Sequence, residues 1–303
     1  MTGIGYATST DGFTWTKYDG GPVLAPGSVG AWDSAQVALG SVVWNGTSFL
    51  MWYSGSDTGT FAAGAIGFAT SRDGISWTKD PHNPILLTSD LDRQYIATPY
   101  VISDGFRFDM WYTGKNTTNP ATPTTILRAT SFGNVEWVKW YTAVLAPSSD
   151  SSAWDSGAVY SPSVLYDGTT YTLWYTGFSN SQPSPQIGFA TSTDGVNWAR
   201  SPLNPILSPG PGGSWDSAGV EQPSIIQVGQ TDLMYYDGFS DTAGGRIGIA
   251  SSPAPIVAPE FPTSATGMIL ALSVLGAVSI MELRGRHSSD VVRNSSKHAK
   301  AFV

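Results

Sequence analysis

The chain has no cysteine, only three histidines (His82, His287 and His298) and few charged residues, 13% of 303 against about 25% in a typical globular protein. Each shortage removes a class of chemistry. Without cysteine there is no disulfide, no thiolate nucleophile and no cysteine-ligated zinc. Two of the histidines lie in the C-terminal tail, so a histidine-rich metal site is excluded, and no metal or cofactor ligand set is readable. The net charge of −8 and the lack of any Lys/Arg run in residues 1–258 argue against nucleic acid as a partner. What is plentiful is 12 Trp, 13 Tyr, 34 Gly and 20 Pro, a mixture that suits short strands and tight turns.

A segment recurs along the chain. Ile4-Gly5-Tyr6-Ala7-Thr8-Ser9 returns at Ile66, Ile126, Ile187 and Ile247, at spacings of 62, 60, 61 and 60 residues. Each unit reads as four strands, clearest in Ser163–Tyr166, Tyr171–Thr176, Ile187–Ser192 and a short strand around Trp198. Asp11-Gly12, Asp73-Gly74 and Asp194-Gly195 mark the same hairpin turn in their units. Four antiparallel strands repeated radially make the blade of a β-propeller, so the expected class is all-β over residues 1–252. Long connections at 55–65, 114–125 and 178–186 fall at matching places and therefore on one face. The N-terminus supplies only third and fourth strands, three fuller units follow, and the last unit supplies strands one to three. The inventory fits a five-bladed ring whose chain starts late, and no N-terminal signal peptide is present.

Residues 253–262 read as a Pro-rich linker and 263–283 as a transmembrane helix, since Thr263–Met281 carries no charge and spans about 28 Å as a helix. A basic polar tail, 284–303, follows; Arg284 and Arg286 place it in the cytoplasm and the propeller outside the cell. Pro259-Glu260-Phe261-Pro262, the apolar run and the basic end resemble an archaeal PEF-CTERM sorting signal. That resemblance implies processing by an archaeosortase; permanent anchoring is the other reading. Asn45-Gly46-Thr47 and Asn116-Thr117-Thr118 match the N-glycosylation pattern.

Residues that recur in every unit are most simply structural. Asp33, Asp92, Asp155 and Asp216 precede the first strand of four units, three of them within Trp-Asp-Ser. One reading has them bond the backbone of the entering loop; the other is a ring of carboxylates near the axis that binds sugar hydroxyls or a cation. Ser-x-Asp-Gly-x-x-Trp, at Ser9–Trp15, Ser71–Trp77 and Ser192–Trp198, resembles the Asp-box hairpin of sialidases and reads as an outer turn whose Trp packs between blades.

Singular residues need their own explanation. At one first-strand position the units read Ala38, Ala97, Tyr160 and Glu221, and Glu136 is the only other Glu in residues 1–258. Arg128 replaces the aromatic residue of the strand-three consensus and is a candidate for binding an anionic sugar or for a salt bridge; Arg93 is also singular.

With its Ala-Thr-Ser-x-Asp-Gly-x-x-Trp and Trp-Tyr-Thr-Gly strands and Glu221-Gln222-Pro223, the chain resembles the five-bladed glycoside hydrolases of the arabinanase, levansucrase and invertase group over residues 4–252. The resemblance implies that Glu221 is the general acid. A second carboxylate is also needed, but the family's Asp-Pro positions hold Leu39, Thr98 and Ser161 here. It would come from absent N-terminal strands or from Asp237, which stands where other units have Ser54, Thr113 and Thr176. Two functions are carried forward: a glycosidase acting on polysaccharide, and a non-catalytic propeller that binds glycans or a partner protein. Tyr160 and the four aspartates are the candidate substrate contacts. A cation in the central channel suits such folds.

Overall fold

The computed structural model describes residues 3–58, 64–115, 123–228, 231–253, 268–271 and 299–302. Every element among them is a strand. At the N-terminus β1 (Tyr6–Ser9) and β2 (Thr16–Lys17) form a hairpin. A first contiguous blade follows, β3 (Gln36–Trp44), β4 (Phe49–Ser56), β5 (Ala65–Ser71) and β6 (Thr78–Lys79). The second comprises β7 (Tyr95–Ser103), β8 (Phe108–Lys115), β9 (Thr125–Ser131) and β10 (Val138–Lys139). The third comprises β11 (Ala158–Tyr166), β12 (Tyr171–Phe178), β13 (Gln186–Ser192) and β14 (Ala199–Arg200). The fourth has three strands, β15 (Gly219–Val228), β16 (Thr231–Ser240) and β17 (Ala243–Pro253). Within each blade the strands are antiparallel neighbours in chain order, as the repeat implies.

The sheets form a ring because each apolar cluster lies between two neighbours. Trp52 and Phe68 pack with Ile96 and Tyr112; Trp111 and Ile126 pack with Val159 and Leu173; Trp174 and Ile187 pack with Val220 and Met234. Ile4, Tyr6 and Leu24 join Val37, Met51 and Tyr53, while Trp15 sits against Leu233 and Tyr235. The N-terminal hairpin thus occupies the gap between the fourth and first blades, and the architecture is a closed β-propeller.

The outer turn behaves as its sequence suggests. Ser71 Oγ donates to Asp73 Oδ1 at 2.9 Å, and that oxygen accepts the N–H groups of Ile75 and Ser76. Asp11 and Asp194 do the same in their turns. The turn's Trp then meets the strand-two aromatic of the preceding blade: Trp52–Trp137 at 6.2 Å, Trp111–Trp198 at 6.3 Å, Tyr235–Trp15 at 5.9 Å between ring centroids. These edge contacts add to the apolar burial that holds blades together.

Four residues of the expected transmembrane segment, 268–271, fall within the described residues. Met268–Ala271 forms strand β18, and Ala299–Phe302 forms β19; β19 pairs with β1 and, in parallel, with β18. Those four residues are strand rather than the expected helix. No helix among the described residues is long and apolar enough to cross a membrane. The rest of 263–283, the 254–262 linker and most of the tail lie outside the described residues, as do the Pro259–Pro262 motif and Asn116.

Candidate active site

The innermost strands carry one irregularity each, at the same place. The register slips between Leu39 and Ser41, Ala97 and Tyr100, Tyr160 and Ser163, and Glu221 and Ser224. An extra residue bulges at each slip. Thr98, Ser161 and Gln222 sit there with φ of 47°, 50° and 55°, a left-handed backbone that costs free energy for non-glycine residues. In the first blade Gly40 takes the place of the proline, because a Cβ on it would lie 2.3 Å from Pro99 of the next blade. The bulges converge on a cavity at the axis lined by Gly40, Pro99, Ser161, Pro162, Gln222 and Pro223 among others.

Hydrogen bonds between blades hold the bulges. The Thr98 N–H donates to Ser54 Oγ of the preceding blade at 2.8 Å. The Ser161 N–H donates to Thr113 Oγ1 at 2.9 Å, and the Gln222 N–H to Thr176 Oγ1 at 2.9 Å. Register assigns Asp237 to the same strand-two position in the fourth blade. A carboxyl therefore replaces a hydroxyl where the next sheet is the N-terminal one.

Glu221 and Asp237 are directly opposed cross-strand partners on β15 and β16. Such partners hold their Cβ atoms about 4.5–5.5 Å apart. Tyr160 Oη, from β11 of the third blade, donates to Glu221 Oε2 at 2.8 Å. Burial pushes the Glu221 carboxyl up from its ordinary value, while the Tyr160 and Gln222 hydrogen bonds pull the other way. Asp237 is 7% exposed and is raised well above the usual carboxylate range, first by burial and then by the charge of Glu221. Two carboxyls this close, one half-buried and one buried, do not both ionise readily. Of the two, Glu221 accepts the Tyr160 hydroxyl, and that bond favours its ionised form.

The other sequence candidates lie elsewhere. Asp33 Oδ2 accepts from Tyr53 Oη at 3.2 Å and Lys79 Nζ at 2.5 Å. Asp92 does so with Tyr112 (3.2 Å) and Lys139 (2.6 Å), and Asp155 with Tyr175 (3.0 Å) and Arg200 (2.7 Å). Asp216 accepts from Tyr236 Oη at 3.4 Å and from Ser214 Oγ at 2.8 Å. Each aspartate thus ties the loop entering strand one to strand two of its own blade, and three also tie in strand four. The backbone of the entering loop shares the work at Asp92, which accepts the Ser89 N–H. Besides burial, the groups acting on Glu221 are Tyr160 and Gln222, and on Asp237 Glu221 alone. None of the four aspartates is brought to the pair.

Arg128 is buried in the second blade, paired with Asp109 at 2.5 Å and placed 5.5 Å from the Trp111 ring. Arg93 pairs with Asp90 at the surface. The ion pairs take up both arginines, and neither acts on the carboxyl pair. Tyr160 alone of the proposed contacts reaches Glu221. Sequence reading missed Tyr95 and Phe178 beside Tyr160. It also missed the interblade hydroxyls Ser54, Thr113 and Thr176, although their equivalence to Asp237 was visible in the repeat.

No family model matches the chain. An uncharacterized protein of Mycobacterium tuberculosis is 29% identical over 231 residues, covering 74% of this chain and 75% of its own length. A β-1,2-mannobiose phosphorylase of a Thermoanaerobacter species is 30% identical over 115 residues, 34% of this chain and 35% of that enzyme. Among solved structures, a glycoside hydrolase superposes with a TM-score of 0.67 at 20% identity, covering 86% of this chain and 82% of its own. Another comes from a family of mannoside phosphorylases containing glycoside hydrolases that target β-1,2 mannosidic linkages in Candida mannan. It gives 0.57 at 16% identity, covering 87% and 84%. At these identities the structural likenesses establish the fold: the chain is built as a β-propeller of the kind found in glycoside hydrolases.

Proposed function

We propose that this chain is a carbohydrate-active propeller whose Glu221–Asp237 pair handles the proton at a glycosidic bond. The observation that carries the reading is that pair: a half-buried and a buried carboxyl, opposed across one ladder, of which Glu221 accepts the Tyr160 hydroxyl. The names of similar proteins and folds add support. The sequence resemblance makes Glu221 the acid; the hydrogen bond that Tyr160 donates to Glu221 favours the reverse assignment. Asp237, which keeps its proton, donates it to the leaving oxygen as the C–O bond breaks. Glu221, ionised first, faces the positive charge that develops on the sugar. A water molecule supplies the new bond to carbon and returns a proton to the pair. We further assign the N-terminal hairpin, placed between the fourth and first blades, as a fifth blade.

The second reading is a glycan-binding propeller without catalysis. The burial of Asp237, 7% exposed, favours it, since little of the carboxyl is open to a substrate. Screening the full chain against mannosides, arabinan, xylan and fructan, with and without phosphate, separates the two. Under the catalytic reading Asp237→Asn and Glu221→Gln each lower turnover by at least about 100-fold, the size of a general acid–base contribution. Glycan binding without turnover, or turnover untouched by both substitutions, overturns it.

A further inference from the structure

Tyr160 does not belong to the blade that carries the carboxyls. It projects from β11, the innermost strand of the third blade, and its hydroxyl crosses the boundary to Glu221 Oε2 at 2.8 Å. A phenol has one hydrogen to donate, so a bond given to Glu221 is withheld from Asp237. Donation favours the ionised form of its acceptor. Asp237 receives no such help: burial and the charge of Glu221 act on it. Tyr160 is held in turn, edge-on to Phe178 with centroids 6.3 Å apart and planes at 69°. Tyr95 of β7 lies within electrostatic reach of its hydroxyl. The equivalent positions in the first two blades are Ala38 and Ala97, which have no hydroxyl to give, so this bond marks one boundary among the described blades.

We propose that Tyr160 is a positioning residue, which by fixing Glu221 as the anion leaves the shared proton on Asp237 and gives the pair its direction. The inference rests on the acid and anion roles assigned above. The groups facing Glu221 are Tyr160 from β11, Asp237 from β16 and Gln222 of its own strand; Asp237 faces Glu221.

The test is an infrared titration of the full chain, following the carboxyl C=O bands that Glu221→Gln and Asp237→Asn assign. Tyr160→Phe removes the donor, and the first ionisation of the pair moves to higher pH by about one unit. Site-specific 3-fluorotyrosine at position 160 keeps the shape with a more acidic hydroxyl and moves it to lower pH. Packing alone produces neither shift. An unmoved titration in both proteins overturns the inference; if Tyr160→Phe fails to fold, the fluorotyrosine protein decides. Turnover keeps the two claims apart. Opposite shifts with no saccharide turned over by the wild type remove the proposed function and leave the positioning role. Turnover whose acid limb is unmoved in Tyr160→Phe removes the positioning role alone.

Discussion

Asp237 shows what one residue contributes and what it costs. Its carboxyl is buried, faces Glu221 and is raised well above the ordinary value near 4. A carboxyl whose folded-state pKa is raised stabilises the fold fully below the unfolded value, and that stability is lost as pH rises through the folded value. Asp237→Asn removes the ionisation. The variant is therefore expected to match the wild type near pH 4 and to melt roughly 3 °C higher at pH 8. Equal melting temperatures at pH 8 would contradict the burial argument. The turn carboxylates run the other way. Backbone N–H groups hold Asp73 and Asp194 below the ordinary range, so their contribution is present above it and disappears as pH falls. Asp237 and the turn carboxylates thus prefer opposite ends of the pH scale.

At the level of the element, the recurrent Asp–Tyr–Lys/Arg tie makes a blade a single mechanical unit. Strand four has only two residues in each complete blade, too few for its ladder to hold it. Lys79, Lys139 and Arg200 pin those strands to the aspartate of the entering loop, and the tyrosine of strand two closes the tie. In the second blade burial lowers the Lys139 ammonium, which Asp92 supports. Asp92→Asn strips the charge opposite a nearly buried ammonium and is expected to cost about 3 kcal/mol in urea unfolding. Glycan binding per folded molecule should not change. If Asp92→Asn instead abolished binding while stability held, the carboxylate ring that the sequence left open would be the right account.

For the whole molecule the question is how the ring closes. Between contiguous blades a strand-two aromatic meets the Trp of the next outer turn, and Tyr235 with Trp15 repeats that contact between the fourth blade and the N-terminal hairpin. The Tyr235 hydroxyl also donates to the Gly12 carbonyl. Residues over 200 apart in sequence are thereby joined. Trp15→Ala should lower stability by about 2 kcal/mol, less than a fully buried Trp because the ring is only half-buried. Hydrogen exchange should accelerate first in β1, β2 and β15–β17, the two sides of the seam. Uniform acceleration around the ring would mean that this contact is not where the propeller opens.

Much of this architecture is written in local pattern. The period near 61 residues, the strand-one to strand-four alternation and the Asp-Gly turns are short-range features, and each blade pairs neighbours in sequence, so reading them required no knowledge of the ring. Glu221 stood out for the same reason: it breaks the Ala38, Ala97, Tyr160 series at a position that the repeat itself defines. Position alone does not give protonation. The proposed assignment of the proton to Asp237 draws on a cross-strand register and a hydroxyl from another blade, neither of which is local. Nor does charge type give partners: packing sets the aspartates and Arg128 against Tyr53, Lys79, Asp109 and their counterparts. A repeated sequence dictates its unit, because hydrogen bonds within a hairpin depend on residues a few positions apart. The chemistry between units belongs to the folded ring, because burial and proximity exist only after the blades have met.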